Sequence, residues 1–491
     1  MAESMDFNKF FNIINNEPSE TERTFQAIDP STEEKLWDVP VATETDLDLA
    51  VAAAKTAFKP WSTLHRDERS KLLIQFADEL AAHKDQFIEL VYRETGKPRA
   101  FAETEVLMGI GTSKIHASWS VLDKVVKDTE DVKIVLQHVP MGVVAGITPW
   151  NYPFQLAILK LAAAVMAGCT VIIKPSPFTP YATLKIGEVA SRIFPPGVVQ
   201  VLAGDDALGP WITAHPGISK ISFTGSIATG KRVMAAASST LKRVNLELGG
   251  NDAAIVTDDF DVAHAAELVA DAAFRHSGQV CMASKRVYVH SSVYDEFMTH
   301  LTAIVKEYKP GEGFCSPIQN KMQYDKLKSL YEDCEAQKYD FAVGTGNVSD
   351  NAPRPGYFIA PAIIANPPDT SRIVQEEPFG PIVPVLKWEK DSEVIERAND
   401  TLTGLGGTVY CRNEDRAWAI AGSLETGSVW VNGGLQVDPA AMFGTHKHSG
   451  IGGELGQEGL KYYTNPRSVT YWKNVKKDGP NAGQHHQGFL S

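Results

Sequence analysis

At 491 residues, with 43% hydrophobic and 22% charged residues, the chain is too long for one simple core and has ordinary core-forming capacity. A formal net charge of −13, with no basic tract, excludes a surface built to neutralise nucleic-acid phosphates. The five cysteines, at 169, 281, 315, 334 and 411, form no CxxC pair, no zinc-ligand spacing and no even framework. A reducing compartment, the cytoplasm, is the expectation.

The opening MAESMDFNKFFNIINNEP has no basic segment leading into an apolar run, so no secretory signal is expected. Apolar runs such as LAILKLAAAVMAG contain a lysine and fall short of a membrane span. Further on, TETDLDLAVAAAKTAF starts from a Thr43 cap with apolar residues at helical spacing. DERSKLLIQFADELAAHKDQFIELVYRETG repeats that pattern and stops at Gly96, with Pro98 just beyond.

Residues 132–138, VKIVLQH, predict a strand, and MGVVAGITPWN predicts another that breaks into a proline-containing turn. Short β-branched runs then alternate with helices: VIIK with ATLKIGEVASRIF, VVQVLAG with DDALGPWITAH, KISFTG with SIATGKRVMAAAS. VNLELGG and AAIV close the series. Unbroken apolar strands separated by helices predict a parallel sheet covered on both faces.

A second α/β stretch runs to about residue 440, with strands RVYVH, PAIIAN, IVPVLKW, GGTVYC and GSVWVNG. SVTYWKN, at 468–474, has strand-like alternation and is expected to pair with VKIVLQH in a small protruding sheet.

Five stretches place candidate functional groups at strand ends or turns. FRHSGQVCMASKR presents Cys281, either a buried thiol or a nucleophile on a turn. VNLELGGND puts Glu247 inside an apolar strand, where burial raises a carboxyl pKa toward the range of a general base, unless a partner satisfies it. GITPWNYP holds the Asn151 amide on a turn stiffened by Pro149 and Pro153, suited to an oxyanion or to capping the next helix. Lys174, ending VIIK, and Gly225-Ser226, between KISFT and a helix, stand where α/β sheets bind nucleotides. A solvated lysine and a plain Ser226 cap are the everyday alternatives.

Taken in order, TPWNYP, IIKPS, FTGSxxxG, LELGG, SGQVC, EEPFGP, NDTLTGLGG, SVWVNG and FGTHKHSGIGGELG resemble the NAD(P)-dependent aldehyde dehydrogenase superfamily. The separation of Glu247 from Cys281 is that of its hydrolytic, non-CoA-acylating branch. The resemblance implies a Rossmann-like NAD(P)-binding domain at 1–124 and 141–248, an α/β catalytic domain at 249–450, and oligomerisation strands at 125–140 and 466–491. By motif position, Cys281 is the nucleophile, Asn151 the oxyanion donor and Glu247 the general base. Ile147, Thr148, Pro149, Trp150, Lys174, Ser176, Gly225, Ser226, Glu377 and Phe379 line the cofactor groove. Tyr152, Leu159, Val280, Met282 and Phe443 form the substrate funnel, with no Arg or Lys among them. A neutral aliphatic or aromatic aldehyde, oxidised to its acid, is therefore the expected substrate. A homodimer or homotetramer, without membrane, nucleic-acid or metal partners, is the expected assembly. The HKH triplet at 446–448 lies in a loop motif, and His485-His486 is expected to be solvated.

The chain departs from the family in places. Pro177 stands where many NAD-preferring members carry a ribose-binding Glu, so NADP remains open beside NAD, which is expected first, and no acid is expected near Lys174. His276 replaces the usual Asn before the nucleophile and reads as structural. Two other functions stay open: CoA acylation, which needs no base for water, and a non-catalytic binding protein on the same scaffold.

Overall fold

The computed structural model describes residues 5–350, 352 and 355–474. The 475–491 part of the expected oligomerisation segment, with His485 and His486, lies outside the described residues, as do residues 1–4.

Four strands that the sequence reading did not anticipate precede the first helix: β1 (Asn12–Ile14), β2 (Glu17–Ser19), β3 (Thr24–Ile28) and β4 (Lys35–Pro40). β1 and β2, of three residues each, are too short to display an alternation. Thr43 then caps α1 (Glu44–Thr63) in a reciprocal box, its hydroxyl accepting the Asp46 N–H at 3.2 Å while the Asp46 carboxylate accepts the Thr43 N–H at 2.7 Å. The long helical pattern that follows divides at His83 into α2 (Arg66–Ala82) and α3 (Lys84–Thr95), where the backbone tightens onto the Leu80 carbonyl. Gly96 ends α3 at φ 69°, and α4 (Arg99–Ser118) packs next.

β5 (Lys124–Asp128) pairs with β6 (Val132–Pro140), which pairs antiparallel along its whole length with the late strand Thr464–Trp472. This is the pairing expected between VKIVLQH and the tail.

β7 (Val143–Ile147), β8 (Thr170–Lys174), β9 (Val199–Val201), β10 (Lys220–Thr224) and β11 (Arg243–Glu247) run parallel in the order β9-β8-β7-β10-β11. β1 and β2 extend this sheet antiparallel beyond β9, and Gly450–Ile451 extends it antiparallel beyond β11. The intervening helices are α5 (Pro153–Ala167), α6 (Tyr181–Ser191), α7 (Leu208–Ala214) and α8 (Ile227–Ser238). Val171 and Ile173 pack into one core with Phe154 and Leu161, while Ile172 packs into another with Leu47 and Val233. Both faces are covered, which is why the strands are unbroken Val/Ile runs.

β12 (Asp252–Val256), read above as closing the first series, belongs instead to a second sheet. It lies between β13 (Ser284–His290) and Gly406–Tyr410, parallel to both. An apolar strand buried on both sides fits either sheet, and Gly249-Gly250 turns the chain from one to the other. The second sheet runs Asp340–Val343, Ala362–Ala365, Ile382–Trp388, β13, β12, Gly406–Tyr410, Ser428–Val431. α9 (Val262–Phe274) leads into the turn before Cys281. No helix among the described residues is long and apolar enough to cross a membrane.

Gly450 stands at φ 140°, where an added Cβ would lie 1.7 Å from the Leu246 carbonyl oxygen. Gly450→Ala is expected to break the Gly450–Ile451 pairing beside Glu247 and to lower stability by about 2–3 kcal/mol. A reduced denaturation midpoint in urea, with lowered activity, is the readout; an unchanged midpoint contradicts the strain argument.

Candidate active site

The order of the first sheet reverses between β7 and β10: the chain steps outward through β8 and β9, then returns to the other side of β7. Crevices at the carboxyl ends of strands flanking such a reversal are where α/β sheets hold ligands. Ile147 ends β7, Lys174 ends β8, Thr224 ends β10 and Glu247 ends β11. Backbone bonds tie the exits together: Thr148 N–H donates to the Lys174 carbonyl at 3.0 Å, and Gly225 N–H to the Glu247 carbonyl at 3.1 Å.

Ser226 caps α8 by accepting from Thr229 N–H at 3.2 Å, so the helix N-terminus opens directly after β10. Ser176 is buried in the turn after β8, its hydroxyl accepting the Phe178 N–H at 3.3 Å. Beyond Thr148 and Pro149, the Trp150 ring meets Phe379 edge-on at 5.3 Å. Phe379 itself sits at φ 53°. Glu377 accepts from Gly250 N–H at 3.2 Å and pairs with Lys285 at 3.1 Å. A Cβ on Gly249 would lie 2.1 Å from the Glu377 carboxylate, so only glycine permits that approach.

This donor set fits a dinucleotide. Lys174 is 6% exposed and donates only to its neighbouring Pro175 carbonyl, at 3.1 Å, among the bonds of the described residues. An ammonium so held at the carboxyl end of a parallel strand can meet ribose hydroxyls or phosphate. Burial pulls its pKa down to about 8, and Asp206 and Asp205 oppose that fall. These two acids correct the expectation of no acid near Lys174. They arrive on the loop after β9, remote in sequence from IIKPS, because β9 lies beside β8.

Cys281, Asn151 and Glu247, far apart along the chain, line one cavity of about 350 Å³. The Asn151 amide donates through Nδ2 to the Gln279 carbonyl at 3.0 Å, two residues before the thiol. Asn151 does not cap α5; that N-terminus is held by Glu105, whose carboxylate accepts from Phe154 and Gln155 N–H. The turn before Cys281 is left-handed at His276, Ser277 and Gly278, with φ 52°, 51° and 70°. Gln279 fixes it, donating to the His276 and Pro317 carbonyls and accepting from Gln319 N–H at 2.9 Å.

His276 is buried, with Nδ1 at 2.8 Å from Ser316 Oγ. Burial, aided by the Lys97 charge, holds its pKa well below the ordinary histidine value, so it stays neutral. Burial pushes the Cys281 thiol up to about 12, while Lys285 works against that rise. Glu247 is buried with neither carboxyl oxygen hydrogen-bonded among the described residues. Burial first, and then the charge of Glu454, raise it well above the usual carboxyl range; Lys160 pulls the other way.

Tyr152, Leu159, Val280, Met282 and Phe443 all line the cavity. Sequence reasoning missed a further wall from α4, including Phe101, Met108, Thr112 and Ile115, and a loop wall at Leu435 and Val437. The helical spacing of Met108, Thr112 and Ile115 was a usable signal. It also missed Arg275. Both oxygens of Asp271 take Arg275 Nη2 at 2.7 Å, so the cavity gains a paired charge rather than a free one.

Residues 17–469 match the family described as "Aldehyde dehydrogenase family". The chain is 39% identical to aldehyde dehydrogenase LUC3 of Fusarium sp over 469 residues, covering 96% of this chain and 100% of that protein. It is 38% identical to retinaldehyde dehydrogenase 3 of Homo sapiens, covering 94% of this chain and 93% of that protein. Among solved structures, an aldehyde dehydrogenase from Bacillus cereus in an NAD+ complex gives a TM-score of 0.91 at 33% identity, with 95% and 97% of the two chains covered. Betaine aldehyde dehydrogenase from Staphylococcus aureus, in complex with NAD+, gives 0.90 at 32% identity, with 95% of each chain covered.

The other four cysteines are buried, whereas Cys281 is part-exposed. In the ligand-free protein, iodoacetamide is expected to label Cys281 first. Because the thiolate reacts and its pKa is raised, the rate should climb about tenfold per pH unit from about pH 7 to about pH 9. Peptide mass spectrometry measures this, and a plateau below about pH 8.5 contradicts it.

Proposed function

Because this chain belongs to the aldehyde dehydrogenase family and oxidises aldehydes with NAD(P)+, we propose that Cys281 is its nucleophile, Asn151 its oxyanion donor and Glu247 its hydrolytic base. The observation that carries the proposal is the convergence of these three side chains on one cavity at the carboxyl ends of the parallel strands. A carbonyl carbon does not surrender hydride until it is tetrahedral. The Cys281 sulfur, once ionised, bonds to that carbon, and the oxygen takes up the negative charge. The Asn151 carboxamide donates to this oxygen in a site poor in water. Bound NAD(P)+ supplies the two-electron acceptor for the hydride. A thioester on Cys281 remains, and Glu247 takes a proton from the water that cleaves it, releasing the acid. Its unpartnered carboxylate favours hydrolysis over acyl transfer to CoA.

The groove is held by Lys174, Ser176, Ser226, Glu377 and Phe379, with Ile147 to Trp150 along its floor. NAD is the preferred cofactor: a 2′-phosphate beside Lys174 would face Asp205 and Asp206, one of which is already paired with Arg23 at 2.7 Å. The apolar lining and the Arg275–Asp271 pairing support a neutral aliphatic or aromatic aldehyde. Val125, Val126, Val469, Tyr471 and Trp472 are exposed on the β5–β6–464–472 sheet, and covering these apolar side chains favours a homodimer or homotetramer.

With an aldehyde panel, hexanal and benzaldehyde should exceed succinic semialdehyde in kcat/KM, and NAD should exceed NADP. Cys281→Ala should abolish turnover. Glu247→Gln should keep a burst of NADH but lose steady turnover by about 100-fold or more. Since the base works deprotonated and its pKa is raised, steady turnover should fall as pH drops through that raised value. Persistent activity in Cys281→Ala, or a preference for the anionic substrate, overturns the corresponding step. Light scattering during gel filtration should give two or four chains per particle; a monomer refutes the assembly.

A further inference from the structure

Beneath the turn that carries Asn151 lies a buried ion pair with no part in the steps above. Lys97, in the link between α3 and α4, and Glu105, on α4, have side-chain exposures of 1% and 0%, and their charged groups are hydrogen-bonded to each other. Each also grips one side of Tyr152. Glu105 Oε1 accepts from Phe154 N–H at 2.9 Å and from Gln155 N–H at 3.2 Å. Lys97 Nζ donates to the Asn151 carbonyl at 2.8 Å and stands 3.8 Å from the centre of the Tyr152 ring. The ammonium has three N–H bonds and meets three acceptors: a carboxylate, a carbonyl and an aromatic face.

Helix capping explains half of this. Tyr152 offers α5 no side-chain cap, so its first amides need an acceptor, and a carboxylate at a helix N-terminus is favourable. Capping would not require a lysine that reaches past the carboxylate to the carbonyl of Asn151. Nor is stability a sufficient reason, because apolar replacements of buried ion pairs are often no less stable. What the pair does uniquely is hold the backbone on both sides of the residue next to the oxyanion donor. The carboxamide is then held from its far end by Gln279. With its main chain and one amide proton committed, Asn151 has little freedom to miss the reacting oxygen.

We propose that Lys97 and Glu105 are positioning residues that fix the Asn151 carboxamide for the oxyanion, an inference that rests on the role given to Asn151 above. The test uses the full-length enzyme with hexanal and NAD. Lys97→Met and Glu105→Gln are made in the wild-type and Asn151→Ala backgrounds, with kcat, KM, NAD affinity by calorimetry and thermal melting measured for each. In the wild-type background kcat should fall by about 10- to 100-fold, the scale of a misplaced catalytic group, while KM and NAD affinity stay within about twofold. In the Asn151→Ala background the same changes should cost little more, since there is no carboxamide left to misplace. An equal fold-loss in both backgrounds, or an unchanged kcat in folded Lys97→Met, overturns the proposal. If Asn151→Ala alone leaves kcat intact, the oxyanion assignment itself falls, which is a separate result. Should Lys97→Met fail to fold, Glu105→Gln, which keeps the shape and an acceptor for α5, carries the comparison.

Discussion

The hydrogen bond from the Asn151 carboxamide to the Gln279 carbonyl, 3.0 Å long, joins two turns separated by 128 residues. One turn leaves β7 of the first sheet; the other precedes β13 of the second. Neither sheet alone contains the constellation. Cys281, the proposed nucleophile, precedes a strand of the second sheet, Glu247, the proposed base, ends a strand of the first, and the Asn151 amide bonds across to the Cys281 turn. Parallel strands require this arrangement, because their crossovers place helices on the faces and leave only the carboxyl ends free to build a crevice.

Both turns are held by buried polar groups, and the amide of Gln279 and the carboxylates of Glu94 and Glu105 are each hydrogen-bonded. Gln279 spends its whole amide on the Cys281 turn, bridging to Pro317 and Gln319. Gln319 in turn donates to the Glu94 and Phe178 carbonyls. Glu94 accepts from Tyr181 and Ala182 N–H at the start of α6, as Glu105 does for α5. Two buried carboxylates on α3 and α4 thus satisfy two helix starts, and the Asn151 and Cys281 turns hang from that frame. The left-handed residues 276–278 are tolerated because this frame over-determines them.

How far the sequence discloses this depends on whether a feature is local. The Thr43 box and the Gly96 stop are contained within four residues, and both are where the chain predicts them. The alternation of apolar strands and helices needs only a window of tens of residues, and it yields the sheet. The assignment of Asp252–Val256 to the second sheet could not be read, because a strand buried on both faces carries no mark of its partners. Asp205 and Asp206 are invisible as neighbours of Lys174 until β9 is known to lie beside β8. Arg275 was legible as a residue but not as a paired one, since Asp271 is one helical turn back and only geometry shows the bidentate contact. Lys97 and Glu105 look like surface charges in GKPRAFAETE, and only the packing of α4 on α5 buries them.

The electrostatics of Glu247 follow from a count of charges. Lys160 is the buried cation whose charge acts on Glu247, and Glu454 already holds it at 2.6 Å, with Ser222 donating to the same oxygen at 2.9 Å. A second carboxylate at Glu247 would meet an ammonium already neutralised, a buried like charge and no hydrogen-bond donor of its own. Burial is the largest cause of its raised pKa and the Glu454 charge the next, with Lys160 pulling the other way. The same environment makes the ion, once formed, a stronger base than an exposed glutamate, because burial and the Glu454 charge oppose ionisation more than Lys160 favours it. A carboxylate satisfied by a lysine or by backbone amides would be easy to ionise and correspondingly weak. An unpaired carboxyl of this kind suits the water-activating role proposed for Glu247.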